Sequence, residues 1–198
     1  MTRVAAVDCG TNSIRLLIAD VETDGTAPRL ADVVREMRVV RLGQGVDASG
    51  ELAQEALDRT FAATADYAGQ IRQHGATDVR FVATSATRDA GNRQVFVDGV
   101  RELLGVEPEV ITGDEEAALS FAGASSVLPS RGEDPVLVVD LGGGSTEFVL
   151  GNADGVVAAR SVDIGCVRMT ERHLRSDPPT AEQIAAAEAD VDAAIDEA

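Results

Sequence analysis

The chain has 198 residues, of which 17 are basic and 34 are acidic, so its formal net charge is −17. This charge opposes nonspecific binding to nucleic acids and anionic membranes, which are themselves polyanions, and an apolar content of 44% argues against a disordered chain. All basic residues are Arg, so a fixed cation at a binding site would be an Arg side chain or a metal ion.

The cellular location is constrained by the apolar runs and by the cysteines. No apolar run approaches the about 18 residues that span a bilayer, and Asp8 interrupts the N-terminal apolar run before a signal-peptide core could form. Two cysteines cannot form a disulfide framework, and we expect Cys9 and Cys166 to be reduced and buried. The sequence therefore predicts a cytoplasmic protein without a membrane partner.

The first part of the chain alternates between short apolar runs and helical stretches. Apolar side chains three or four residues apart predict a helix over 51–74, which Gly75 ends. A second helix should take Asn92 as its cap and end at Gly105, and a third should take Asp114 as its cap. Strands are predicted over residues 4–7, 14–20, 29–42, 78–85 and 108–112.

A connector is predicted over residues 128–135, which hold two Pro, one Gly and three charged residues. It divides the chain into a first domain over 1–127 and a second domain over 128–198. Beyond it we predict strands over 136–139, 146–150 and 156–162, then a helix over 167–175. The last helix begins at Thr180 with a capping box to Gln183, and it still runs at residue 198, so we expect the chain to be a fragment.

Two segments of the chain have similar sequences. Each is an apolar strand, a Gly-containing turn that follows an Asp, and a returning apolar strand: V-A-A-V-D-C-G-T-N-S-I and V-L-V-V-D-L-G-G-G-S-T. Three residue types recur at the same offsets, which pairs Asp8 with Asp140, Gly10 with Gly142 and Ser13 with Ser145. Duplicated domains that face each other would place both turns at one cleft.

The chemistry that these turns suggest is phosphate binding. Glycine lets backbone N–H groups converge on an anion, and hydroxyl donors accompany the turns at Thr11, Ser13, Ser145 and Thr146. Two Asp carboxylates would repel a phosphate unless a cation lay between them, and Mg²⁺ bridges carboxylates to phosphates. The alternative is a pair of ordinary hairpin turns, each with an Asp that accepts its own turn amides.

Five segments resemble the signatures of the exopolyphosphatase / guanosine pentaphosphate phosphohydrolase (Ppx/GppA) family, in that family's order. They are V-A-A-V-D-C-G-T-N-S-I-R-L-L-I-A-D, V-A-T-S-A-T-R-D-A-G-N, I-T-G-D-E-E-A, V-V-D-L-G-G-G-S-T-E-F-V-L-G and D-I-G-C-V-R-M-T-E. The resemblance implies an α/β fold of the actin-like, duplicated ribonuclease-H type shared with sugar kinases and heat-shock chaperones, with the second domain truncated. It also implies an active site in the interdomain cleft.

The resemblance implies an activity as well. The expected reaction is hydrolysis of terminal phosphoanhydride bonds of inorganic polyphosphate or guanosine pentaphosphate, with Mg²⁺ as cofactor. Family members are longer than this chain and often dimerise through C-terminal parts, so a homodimer of the full-length protein is possible.

The resemblance to the family also implies roles for individual residues of this chain. Glu116 matches the catalytic carboxylate that assists the attacking water, although an acid in the first turn also suits the helix dipole. Asp140, Glu147 and Asp8 are the expected metal ligands, although Glu147 could be an ordinary polar strand residue. Arg88 should contact phosphate, although it could instead pair with Asp89. The remaining phosphate-binding residues are Gly10, Thr11, Asn12, Ser13, Gly142, Gly143, Gly144, Ser145 and Thr146.

Two other functions fit the same motifs. One is an ATP-dependent kinase or ATPase of the same fold, and the other is a non-catalytic sensor that binds polyphosphate or an alarmone. The sensor would need the glycine turns but not Glu116.

Overall fold

The computed structural model describes residues 2–23, 29–126 and 134–198. The chain divides into two compact units, Met1–Val110 and Ile111–Ala198. The predicted connector falls largely on residues 128–133, which lie outside the described residues. The division into domains 1–127 and 128–198 stays a prediction.

The first unit is built on a five-stranded mixed sheet. Its strands are β1 (Thr2–Cys9), β2 (Ser13–Glu22), β3 (Arg29–Val39), β4 (Asp78–Ala83) and β5 (Glu109–Val110). The strand order is β3-β2-β1-β4-β5, with β1 to β3 antiparallel and β4 and β5 parallel to β1. The helices are α1 (Val46–Ser49), α2 (Gln54–His74), α3 (Ser85–Asp89) and α4 (Arg93–Leu104).

The core of this unit lies where α2 and α4 pack on each other and on the sheet. Alternate residues of β2 are buried, which is the period-2 pattern of a strand with one face in a core. Large side chains from three elements, Tyr67, Phe81 and Phe96, are fully buried, and each stabilises the fold by about 1.5–3 kcal/mol. The Tyr67 hydroxyl donates to the carbonyl of Ile14 at 3.2 Å, so α2 is fixed directly behind the first hairpin.

The second unit is a three-stranded antiparallel sheet with helices on both faces. Its elements are α5 (Gly113–Ser125), β6 (Val136–Leu141), β7 (Thr146–Asn152), β8 (Gly155–Val162), α6 (Cys166–His173) and α7 (Ala181–Glu197), and the strand order is β6-β7-β8. Phe121 of α5 packs on Val149 of β7. Phe148, which precedes Val149 in β7, lies on the opposite face of the sheet with Met169 of α6 and Val191 of α7.

The helix ends confirm several predictions and correct one. Asn92 is the N-cap residue of α4, as predicted, but its side chain makes no capping hydrogen bond, because its side-chain amide pairs with the backbone N–H and carbonyl of Leu52 at 2.8 and 3.0 Å. The cap of α5 is Thr112, which accepts from the N–H of Glu115, and not Asp114. The end of α2 at Gly75, where φ is 69°, and the capping box of α7 are confirmed.

The two cysteines differ. Cys9 is buried, and burial raises the pKa of its thiol well above the usual range. Cys166 is exposed, so the expectation of burial was wrong for it. The reason is that Cys166 begins α6, where its backbone rather than its side chain meets the neighbouring loop. Among the described residues, no helix combines the length and the apolar character needed to cross a bilayer.

Candidate functional site

The second hairpin loop, residues 142–145, joins β6 to β7. The N–H of Gly142 donates to the carbonyl of Ser145 at 3.0 Å and closes the turn. A Cβ on Gly142 would lie 2.9 Å from that same carbonyl oxygen, so the turn requires glycine here. The hydroxyl of Thr146 is directed away from the loop, since it donates to the carbonyl of Ile164 at 3.0 Å.

The start of α6 holds this loop from one side. Five donors bind its carbonyls. Gly142 O accepts from Cys166 N at 2.9 Å, Gly143 O accepts from Val167 N at 2.9 Å and Arg168 N at 3.1 Å, and Gly144 O accepts from Gly165 N at 3.1 Å and Arg168 Nε at 2.8 Å. Because C=O of one residue and N–H of the next point in opposite directions in a trans peptide, the following N–H groups point away from α6. These belong to Gly143, Gly144 and Ser145, and none of them donates to a described residue. Successive N–H groups of this kind form a concavity for an anion.

Gly165 is a site residue that sequence reasoning missed. A Cβ on it would lie 2.2 Å from the carbonyl carbon of Gly143 and 2.3 Å from the nitrogen of Gly144. Only glycine therefore lets α6 approach the loop closely enough to bind its carbonyls. The signal was present in D-I-G-C-V-R, where a lone Gly precedes a helical stretch.

Two predicted carboxylates face each other on the sheet beside this loop. Asp140 of β6 is the register partner of Glu147 of β7, and directly opposed residues share a face with Cβ atoms about 4.5–5.5 Å apart. Glu147 is only 1% exposed and accepts from the hydroxyl of Ser161 at 2.7 Å. Asp140 accepts from the hydroxyl of Ser120 at 2.6 Å. Since Ser120 belongs to α5, both carboxylates lie on the face that α5 covers.

Glu116 lies on the side of α5 that faces these carboxylates. It precedes Ser120 by four residues, and residues four apart share a helix face. It is half-buried, whereas its neighbours Asp114 and Glu115 are exposed. The second unit thus brings Asp140 and Glu147 together beside the second loop, and Glu116 lies one helical turn before the serine that binds Asp140.

The first hairpin closes in the same way as the second, since the N–H of Gly10 donates to the carbonyl of Ser13 at 2.9 Å. The similarity between the two strand–turn–strand segments therefore extends from residue types to backbone geometry. Neighbouring segments bind its carbonyls: Gly43 N to Thr11 O at 2.8 Å, Val40 N to Asn12 O at 3.0 Å and Arg41 N to Asn12 O at 2.9 Å. Thr11 is buried against Gly43, and among the described residues its hydroxyl has no hydrogen-bond partner.

Arg88 lies at the end of α3, beside the first hairpin. β4 runs parallel to β1, so their carboxyl ends meet at one edge of the sheet. The N–H of Thr84, just before α3, donates to the carbonyl of Cys9 at 3.3 Å. Arg88 itself is half-buried.

The two hairpins differ in charge. The register partner of Asp8 is Arg15, whose Nη1 lies 3.4 Å from the Asp8 carboxylate, whereas the register partner of Asp140 is a second carboxylate. Like charges placed directly opposite each other destabilise a sheet. A bound cation would therefore reduce the repulsion between the two carboxylates of the second hairpin, whereas in the first hairpin Arg15 already faces Asp8. No group of three or more His, Cys, Asp or Glu side chains suited to a metal occurs in the described part of the chain. Mg²⁺ usually takes one or two carboxylates, with waters and phosphate oxygens, so the Asp140–Glu147 pair fits it.

The sequence model of the Ppx/GppA phosphatase family matches residues 17–198. The chain belongs to this family. It is 58% identical over 192 residues to exopolyphosphatase 2 of Mycobacterium tuberculosis, covering 94% of this chain and 60% of that protein. It is 36% identical over 194 residues to the guanosine-5'-triphosphate,3'-diphosphate pyrophosphatase of Photobacterium profundum, covering 98% and 36%. The chain thus spans about 60% or less of the length of these curated relatives.

Solved structures confirm the actin-like α/β fold. The crystal structure of an exopolyphosphatase-like protein has a TM-score of 0.93 and 55% identity, and covers 100% of this chain and 61% of that one. The Aquifex aeolicus member of the Ppx/GppA family has a TM-score of 0.72 and 35% identity, and covers 92% and 58%. The PilM–PilN type IV pilus biogenesis complex, at a TM-score of 0.51 and 16% identity, shares the fold alone.

Proposed function

We propose that this chain forms the catalytic part of an enzyme that hydrolyses the terminal phosphoanhydride bond of inorganic polyphosphate or guanosine pentaphosphate. Family membership and the names of the two relatives support a phosphoanhydride substrate. The observation that carries the proposal is the pairing of Asp140 with Glu147 beside the glycine loop of the second unit, with Glu116 one helical turn before Ser120, which binds Asp140.

Terminal phosphate oxygens would be bound by the N–H groups of Gly143, Gly144 and Ser145, which point to one side of the loop. Backbone dipoles fixed in this way stabilise negative charge that develops in the transition state. Arg88 of the first unit stays a proposed phosphate-binding residue, because a guanidinium can hold two phosphate oxygens. The turn over residues 10–13 is proposed as a second phosphate-binding loop on the strength of its matching geometry.

Asp140 and Glu147 would hold Mg²⁺, and Asp8 of the first unit stays a proposed metal ligand. Mg²⁺ bound there would neutralise charge on the phosphate oxygens. Without it, the buried Glu147 and the opposing Asp140 would repel the substrate that the loop amides attract.

Glu116 would orient the attacking water and accept its proton. Glu116 is half-buried in the first turn of α5. A positioned general base of this type typically contributes 10²–10⁴-fold to the rate.

Phosphate release by the full-length protein tests the proposal, with polyphosphate, guanosine pentaphosphate and ATP each assayed with and without Mg²⁺. Glu116→Gln should lower kcat by about 10²–10⁴-fold and leave substrate binding intact, because the amide keeps the size and loses the basicity. Glu115→Gln, on the same turn and exposed, should keep normal turnover.

Several results would contradict the proposal. Turnover that survives Glu116→Gln would remove Glu116 as the base. Turnover with ATP alone would favour a kinase or ATPase, and binding without any turnover would favour a sensor. Normal activity in excess chelator would exclude Mg²⁺ as a cofactor of the reaction. The cytoplasmic location and a homodimer of the full-length protein stay predictions.

A further inference from the structure

Two serine hydroxyls from different elements each bind one of the two opposed carboxylates. Ser120 of α5 donates to Asp140 Oδ2 at 2.6 Å, and Ser161 of β8 donates to Glu147 Oε1 at 2.7 Å. Neither serine lies in a segment that resembles a family signature. Both were invisible to motif reasoning, because each reaches its carboxylate through tertiary contact, 20 and 14 residues away along the chain.

These hydrogen bonds are short, and their acceptors are carboxylate oxygens. O–H···O⁻ bonds of about 2.5–2.7 Å are roughly twice as strong as neutral ones, and each fixes one oxygen of a carboxylate and thereby the plane of the group. Glu147 needs such a bond most, because it is only 1% exposed and a buried charge without hydrogen bonds is strongly unfavourable.

The same serines also connect α5 to the sheet. Ser120 shares a helix face with Glu116, so its bond to Asp140 sets the rotation of α5 over β6. At the start of the helix, a Cβ on Gly113 would lie 2.8 Å from the Cβ of Ser161. The first turn of α5, which carries Glu116, therefore rests directly on Ser161.

We propose that Ser120 and Ser161 are positioning residues, whose hydroxyls orient Asp140 and Glu147 for Mg²⁺ and hold α5 in the register that places Glu116. This inference rests on the proposed function. A purely structural role is the alternative: the hydroxyls would then satisfy buried oxygens without affecting metal binding.

The test uses the full-length protein and measures Mg²⁺ affinity by isothermal titration calorimetry without substrate, together with kcat, KM and the melting temperature. Ser120→Ala and Ser161→Ala should each weaken Mg²⁺ binding by about 10–100-fold, which is typical of removing a group that orients a metal ligand. At subsaturating Mg²⁺ the loss should appear mainly in kcat. Ser120→Thr keeps the hydroxyl and should restore the affinity to within about threefold of the unsubstituted protein.

Ser125→Ala is the matched control. Ser125 lies on the same helix, is half-buried like Ser120, and donates to the carbonyl of Ala122 at 3.3 Å rather than to a carboxylate. It should leave Mg²⁺ affinity unchanged. Ser120 is half-buried in a helix, where Ala is well tolerated. Ser120→Ala therefore tests the positioning role even if Ser161→Ala does not fold.

The outcomes separate the inference from the function on which it rests. Alanine variants that melt earlier but bind Mg²⁺ like the unsubstituted protein would overturn the positioning role and leave the hydrolase proposal standing. If the unsubstituted protein binds Mg²⁺ but releases no phosphate, the proposed function fails, while weaker Mg²⁺ binding by the variants still supports the positioning role. Absence of Mg²⁺ binding in the unsubstituted protein would overturn the inference.

Discussion

Gly165 lies so close to the second hairpin loop that no side chain fits there. The nearest atoms to a Cβ, at 2.2 and 2.3 Å, belong to the backbone of Gly143 and Gly144, so they cannot rotate aside. Gly165→Ala must shift either the loop or α6. We expect a loss of about 1–3 kcal/mol in the free energy of unfolding, measured by urea denaturation. A fall in kcat/KM should accompany it, because the displaced loop no longer aims its N–H groups at one point.

Gly69→Ala is the control for this substitution. Gly69 lies within α2, and a Cβ there meets nothing within 4 Å. Alanine should therefore raise the free energy of unfolding by about 0.5–1 kcal/mol and leave kcat/KM unchanged. A Gly165→Ala protein as stable and as active as the Gly69→Ala protein would show that α6 does not support the loop.

For individual residues, the sequence pointed to the charged side chains of the candidate site but not to the residues that contact and orient them. Asp140, Glu147 and the loop glycines stand in one contiguous motif, so the spacing and the family resemblance point to them directly. Ser120, Ser161 and Gly165 act through contacts that form only when separate elements pack together. Local patterns do not reveal such contacts for the two serines, and for Gly165 they offer only a lone Gly before a helical stretch, which is why a structure is needed to find them.

One carboxylate joins α6 to α7 by hydrogen bonds. Asp190 of α7 accepts from His173 Nε2 at 2.8 Å and from Arg172 Nη1 at 2.9 Å. The hydrogen bond from His173, and then that from Arg172, holds the pKa of the Asp190 carboxyl below its ordinary value of 3.8. A lowered pKa in the folded state stabilises the fold above the ordinary value, and this contribution is lost as the pH falls through the folded-state pKa.

Asp190→Asn tests this connection. The variant should melt at a lower temperature than the unsubstituted protein near neutral pH, and the difference should shrink as the pH falls below 3.8, the ordinary aspartate value. Asp192→Asn, which removes an exposed carboxylate from the same helix, should leave the pH dependence as it is. A difference between Asp190→Asn and the unsubstituted protein that stays constant with pH would exclude the ion pair as its cause.

Helices and strands were mostly predictable from periodicity, but the cap of α5 was not. The apolar spacing located α2, and the capping box located α7. For α5 the cap depends on which residue keeps an extended backbone, and Thr112, with φ −72° and ψ 164°, does so. Asp114 is a helical residue in the first turn. The short helices α1 and α3 went unpredicted, because four or five residues are too few for a period to show.

Over the whole chain, the excess of 34 acidic over 17 basic residues should make stability depend on salt. Self-repulsion opposes the compact state, and a Debye length of about 10 Å at 0.1 M screens it. The melting temperature, followed by circular dichroism, should therefore rise as NaCl increases. Mg²⁺ at the same ionic strength should raise it further, because an ion that binds only the folded state adds stability by mass action. Asp140→Asn should abolish this additional rise and keep the response to NaCl. Equal effects of the two salts would mean that Asp140 and Glu147 do not form a cation site within this chain.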